Sequence, residues 1–115
     1  NKALGDKKGI VRFADATLPL DEALVRVAVD ISGRSFLAFE VDFPRSDDGS
    51  NINPYLFEEF FRAFANSAKL TLHIDKIRGD NSHHIIEAIF KAFARALKTA
   101  STIVGSDLPS TKGMI

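Results

Sequence analysis

The sequence contains no cysteine and only three histidines. Without thiols it can form neither disulfides nor thiolate metal sites, and the composition suits a reducing compartment, with a cytoplasmic protein expected, or a plastid one if the source is a plant. Net charge is lacking as well: 15 basic and 15 acidic side chains sum to +0, which argues against general affinity for nucleic acid or anionic membranes. No apolar run approaches the roughly 20 residues that span a bilayer, so no membrane partner is expected. The opening "NKALGDKKG" has no secretory apolar core and reads as the tail of a helix over residues 1–6, ended near Gly5. No repeat or low-complexity segment is evident. What is present is 115 residues with 45% hydrophobic content, enough for one domain with a real core.

Along the chain, "VRFADATLPL" (11–20) mixes β-formers with polar residues and reads as a strand. "ALVRVAVDI" (23–31) alternates, with Leu24, Arg26, Ala28 and Asp30 on one side and Val25, Val27, Val29 and Ile31 on the other. "SGR" (32–34) has turn chemistry and "SFLAFEVDF" (35–43) alternates again, so these two strands are expected to pair as a hairpin. "PRSDDGSNINP" (44–54) is a loop, and Pro54 opens a helix that carries Phe57, Phe60, Phe61 and Phe64 at helical spacing. These four rings, with Phe93, are expected in the core. "KLTLHIDKI" (69–77) is a further strand, with His73 expected to be structural. Asn81 or Ser82 caps a last helix from about His83 to Thr99. The order β-β-β-α-β-α predicts an α+β two-layer sandwich: a four-stranded, mostly antiparallel or mixed sheet with both helices on one face.

The last helix, "GDNSHHIIEAIFKAFARAL" (79–97), spends two of the three histidines side by side at its entrance. At roughly 100° per residue, with His83 at zero, Glu87 falls near ~40°, Lys91 near ~80°, His84 near ~100° and Arg95 near ~120°. Ile86, Ile89, Phe93 and Leu97 occupy an arc of roughly 240° to 320°, expected to face the core. An ordinary solvated face would look similar. Histidine, however, has no advantage over Lys or Glu on such a face, whereas imidazole and carboxylate together suit manganese, iron or zinc. His83 and Glu87, one turn apart, can point at one ion, and the diverging His84 at another.

That helix, with "STKG" (110–113), "PLDEAL" (19–24) and "DISGR" (30–34), resembles the imidazoleglycerol-phosphate dehydratases of histidine biosynthesis. The resemblance runs from about Gly5 to Gly113 and is to the C-terminal half of that family. It implies a ribosomal protein S5 domain 2-like half, whose companion half brings its own His-His-x-x-Glu helix. It further implies a homo-oligomeric, octahedral shell with two Mn2+ per active site, formed between subunits. Position by position, it implies His83, His84, Glu87 and Glu59 as metal ligands, with Glu87 also catalytic. Arg12, Arg34, Lys91, Ser110 and Lys112 are implied to hold the substrate phosphate, the last two on a C-terminal tail at residues 105–115. Guanidinium, ammonium and hydroxyl donors suit a phosphate dianion.

The reaction implied is dehydration of D-erythro-imidazole-glycerol phosphate to imidazole-acetol phosphate, through an imidazolate and a diazafulvene-like intermediate. The loop at 44–56 and "FADATLPL", which lacks a Gly-His pair common in the family, depart from the usual pattern. A second reading is a metal-binding assembly fragment without turnover of its own. A third, a nucleic-acid-binding α/β domain, is disfavoured by the neutral charge and the missing aromatic strand motif.

Overall fold

A computed structural model describes residues 9–44 and 53–104. The expected tail at 1–6, most of the 44–54 loop, and Ser110 and Lys112 lie outside the described residues. The elements are β1 (Phe13–Leu20), β2 (Ala23–Asp30), β3 (Phe36–Glu40), α1 (Pro54–Ala68), β4 (Thr71–Arg78) and α2 (Ser82–Ala100). They form a four-stranded mixed sheet in the order β1-β2-β4-β3, with α2 over β1 and β2 and α1 over β3. This is the expected α+β sandwich.

The alternation in β2 is the deepest sequence signal. Val25, Val27, Val29 and Ile31 are all buried, together with Leu72 and Ile74 from β4. Onto them α2 lays Ile85, Ile89 and Phe93 and a row of alanines, Ala88, Ala92, Ala96 and Ala100, all buried. The core-facing arc of α2 is thus centred on Ile85, Ala92 and Ala96 and is rotated from the arc read from the larger side chains: Ile86 and Leu97 are only half-buried. Alanine burial is easily overlooked in a wheel weighted by bulk. Of the five phenylalanines expected in the core, Phe61 and Phe93 are buried and Phe57 and Phe64 half-buried, but Phe60 is 47% exposed. Phe60 sits on the outer flank of the aromatic cluster, edge-on to Phe61 at 5.0 Å and tilted against Phe90 at 5.5 Å.

The expected hairpin between the second and third strands does not form. Instead β1 and β2 make the hairpin through the two-residue turn Asp21–Glu22, and β4 lies between β2 and β3, antiparallel to the first and parallel to the second. The "SGR" segment is a crossing: Gly33, at φ +86°, donates its N–H to Lys69 O at 2.9 Å, and Phe36 N–H donates to Leu70 O at 3.2 Å. The chain is thereby carried past the start of β4 to its far edge. Parallel pairing requires a long crossover, supplied here by α1. Length favours this choice, since β4 matches β2 over Leu24–Asp30 whereas β3 has five residues to offer.

Both helix entrances follow the capping signals. Asn53 accepts from Tyr55 N–H at 3.1 Å with Pro54 in the first turn, and Asn81 accepts from His84 N–H at 3.1 Å. Gly79, between β4 and α2, has φ +144°, and a Cβ there would sit 3.0 Å from Ala23 Cα and 3.2 Å from Ile85 Cγ1. Its missing side chain lets the start of β2 and the first turn of α2 close on one another. Gly79→Ala is therefore expected to destabilise the protein by about 1–3 kcal/mol through overpacking and backbone strain. The measurement is the urea midpoint; an unchanged midpoint would show that the junction yields easily.

Candidate functional site

The first turn of α2 stands at the end of the sheet where the β1–β2 turn and the last residues of β4 meet. Asp21, at the tip of the turn, has φ +53°, a left-handed conformation that aspartate tolerates better than most residues. The next residue, Glu22, reaches across to α2. Its Oε1 lies 2.7 Å from His84 Nδ1, and its Oε2 accepts from Asn81 N–H at 2.8 Å and Asp80 N–H at 3.1 Å. Asp21 Oδ2 stands 3.5 Å from His84 Nε2. An open depression beside this group is lined by Glu22, Arg78, Gly79 and Asp80.

The electrostatic effect is reciprocal. The hydrogen bond from His84 is the largest cause that holds the Glu22 carboxyl down at about 2, and the Asn81 and Asp80 amides add to it. His84 is raised above its ordinary value, first by the Glu22 hydrogen bond and then by the charges of Glu22, Asp21 and Glu87.

His83 and Glu87 are exposed on the outward face, as the wheel requires, while His84 is half-buried against the turn. Glu87 accepts from Lys91 Nζ at 3.0 Å one turn further on. Glu59, on α1, is not gathered with the histidines; its Oε2 lies 3.6 Å from Arg62 Nε. Among the described residues no three His, Cys, Asp or Glu side chains are gathered to hold one ion. His83, His84 and Glu87 are donors of a type that suits a divalent metal.

Two of the basic residues, Arg12 and Arg34, lie elsewhere. Arg12 immediately precedes β1 with φ +78°, unusual for a residue with a side chain. Its N–H donates to Ala100 O at 2.8 Å and its carbonyl accepts from Ile31 N–H at 3.1 Å. Its Nε donates to Asp30 Oδ1 at 2.7 Å and its guanidinium lies 4.7 Å from the centre of the Phe13 ring. Asp30 raises the Arg12 pKa through that hydrogen bond. Arg34 follows the end of β2, with its N–H on Ser32 Oγ at 3.1 Å and its carbonyl accepting from Thr71 Oγ1 at 3.3 Å. Arg12 and Arg34 thus share the sheet end opposite His84. Sixteen helical steps of α2 lie between His84 and Ala100, about 24 Å at the helical rise, so Arg12 and Arg34 do not converge on the histidines within this chain. Lys91, midway, is joined to Glu87. His73, expected to be structural, is exposed on the open face of the sheet, its ring centroid 5.5 Å from that of Phe36.

The residue that sequence reading missed is Glu22. It lies inside "PLDEAL" but 62 positions from His84, and only the hairpin turn and the Gly79 junction bring the two together. Their pairing predicts a defined pH dependence. The lowered Glu22 pKa stabilises the fold above its ordinary value of 4.5, and that contribution is lost as pH falls toward about 2. The raised His84 pKa stabilises below its ordinary value of 6.5, and that contribution is lost as pH rises through the raised value. The difference in thermal midpoint between the metal-free protein and its His84→Ala variant should therefore be greatest between pH 4.5 and 6.5 and shrink on either side. A pH-independent difference would show that packing alone is involved.

Comparison with known proteins comes to the same family. A family profile described as imidazoleglycerol-phosphate dehydratase matches residues 1–97. Relatives of that name from Caldicellulosiruptor saccharolyticus and Carboxydothermus hydrogenoformans are each 56% identical, over 99% and 100% of this chain and 58% and 59% of their own. The crystal structure of the Staphylococcus aureus imidazoleglycerol-phosphate dehydratase superposes with a TM-score of 0.81 at 51% identity, over 89% of this chain and 59% of that one. The Pyrococcus furiosus protein, in complex with (S)-C348, superposes at 0.79 with 36% identity, over 96% of this chain and 60% of that one. The chain thus spans about three-fifths of the length of the relatives it matches, and across that span, in sequence and in fold, it belongs to the imidazoleglycerol-phosphate dehydratase family.

Proposed function

We propose that this chain is the part of a manganese-dependent imidazoleglycerol-phosphate dehydratase that contributes one metal-binding helix and one set of phosphate-binding bases. The observation that carries this reading is the first turn of α2, where His83 and Glu87 stand exposed one turn apart and His84 is braced by Glu22. Imidazole and carboxylate in this pattern suit Mn2+. A divalent metal bound there supplies positive charge that makes an imidazole ring of the substrate easier to deprotonate.

The chain's own residues do the rest. His83, His84 and Glu87, with Glu59 from a neighbouring surface, hold and orient. Glu87, besides serving as a ligand, is the catalytic carboxylate in this reading. In the reaction the carbon next to the substrate ring loses hydroxide and the following carbon loses a proton. The enol so formed then takes up a proton at the carbon next to the ring and gives up its hydroxyl proton to become the ketone. Arg12 and Arg34 bind the phosphate, with Lys91, Ser110 and Lys112 as further donors, so that phosphate binding orients the reacting carbons from a distance.

A ring joined by three carbons to a phosphate is far shorter than the ~24 Å along α2 between His84 and Ala100. The bases at one end therefore serve a metal site on another copy, which makes the protein a homo-oligomer, in keeping with an octahedral shell. Exposed Phe13, Phe36, Tyr55 and Leu56, each at least 54% accessible, are consistent with surfaces covered by assembly.

Two outcomes are expected. His83→Ala and His84→Ala should each weaken Mn2+ binding by more than the roughly 10–100-fold typical of losing an outer-shell partner, with the circular dichroism spectrum retained; unchanged manganese affinity in both would end the metal reading. The 115-residue polypeptide, given Mn2+ and imidazole-glycerol phosphate, should show little turnover by itself and gain it when the remaining length of its relatives is supplied as a second polypeptide. Robust activity of the polypeptide by itself would show that its residues complete the ligand set unaided.

A further inference from the structure

The pairing of Glu22 with His84 has a consequence for which nitrogen of the imidazole is available to a ligand. A neutral imidazole carries one proton, and the nitrogen without it is the electron-pair donor. Two carboxylates compete for that proton. Glu22 Oε1 lies 2.7 Å from Nδ1, within the range of a charge-assisted hydrogen bond, whereas Asp21 Oδ2 is 3.5 Å from Nε2, beyond the ordinary N–H···O range. The Asp21 side chain is also 75% exposed, against 35% for Glu22, so water competes for it far more effectively.

Glu22 cannot readily turn aside either. Its second oxygen is occupied by the Asn81 and Asp80 amides, and its backbone belongs to a two-residue turn. An ionised carboxylate only accepts, so the short contact fixes the proton on Nδ1.

We propose that Glu22 is a positioning residue that sets the tautomer of His84, holding Nδ1–H and leaving Nε2 bare as the donor atom for a divalent cation. This rests on the metal reading only for the identity of the ligand; the tautomer itself is a property of the metal-free protein. The Asn81 and Asp80 amides give the idea a sharp form. In Glu22→Gln a single oxygen remains. Two backbone N–H groups compete for it, which turns the side-chain NH2 toward Nδ1. A ring facing an N–H donor must accept at Nδ1 and carry its proton on Nε2. A substitution of nearly unchanged size should thus invert the tautomer.

The test is long-range 1H–15N correlation spectroscopy of the metal-free protein labelled at histidine, at a pH where His84 is neutral. With three histidines in the chain, His84→Ala identifies the signal. Protonated Nδ1 in the wild type and protonated Nε2 in Glu22→Gln are expected. Protonated Nε2 in the wild type overturns the proposal even if the variant does not fold, and so does a folded Glu22→Gln that retains protonated Nδ1. Calorimetric titration with Mn2+ separates this from the metal reading. A roughly 10–100-fold loss of affinity in Glu22→Gln supports both, whereas an inverted tautomer in proteins that bind no manganese upholds the role of Glu22 and removes the ion.

Discussion

Four alanines, Ala88, Ala92, Ala96 and Ala100, line the buried face of α2, and with nothing larger than a methyl group in that row the helix can seat closely on β1 and β2. Larger residues, Ile85, Ile89 and Phe93, fill the flanks, so the interface is tight along its centre and interlocked at its sides. The rest of the geometry depends on this seating. It determines how near the first turn of α2 comes to the β1–β2 turn, and hence whether a glutamate in that turn can reach a histidine on the helix. Gly79 removes the last obstruction at the same junction. An alanine row and one glycine, neither with any chemistry of its own, place the most polar cluster on this end of the sheet.

The opposite end of α2 is organised by different physics. Its last residues are tied to the start of β1 through Val11, Arg12 and the Ile10–Ile103 bridge. There the backbone of Arg12 is held in a conformation that a side chain disfavours, and the guanidinium is fixed by Asp30 and Phe13. One rigid helix thus carries imidazoles and a carboxylate at its beginning and abuts guanidinium groups at its end.

Much of this was legible in residue order because it is local. The valine alternation of β2, the proline at the start of α1 and the asparagine before α2 each act within a few positions and read correctly. Failures came where the deciding partner is remote. The second strand was expected to pair with its successor, but β4, which begins some forty residues later, offers it a longer match. Phe60 carries the helical spacing of a core residue and still lies at the margin, because the width of the sheet beneath α1 is a tertiary fact. Glu22 has nothing in residue order that ties it to His84, 62 positions away, and the positive φ of Arg12 has no signature in a sequence that shows neither glycine nor asparagine there.

The strand order also has a bearing on biosynthesis. β2 acquires its first neighbour through a two-residue loop, but its second, β4, starts at Thr71. At elongation rates of about 5–20 residues per second, the valine-rich β2 is synthesised roughly 2–10 s before the strand that covers its other edge. During that interval the nascent β1–β2 hairpin presents one unpaired edge of a hydrophobic strand, a template for association with neighbouring chains. The time taken to translate residues 31–70 thus sets how long that edge stays open, a property of synthesis that leaves no trace in the contacts of the finished fold.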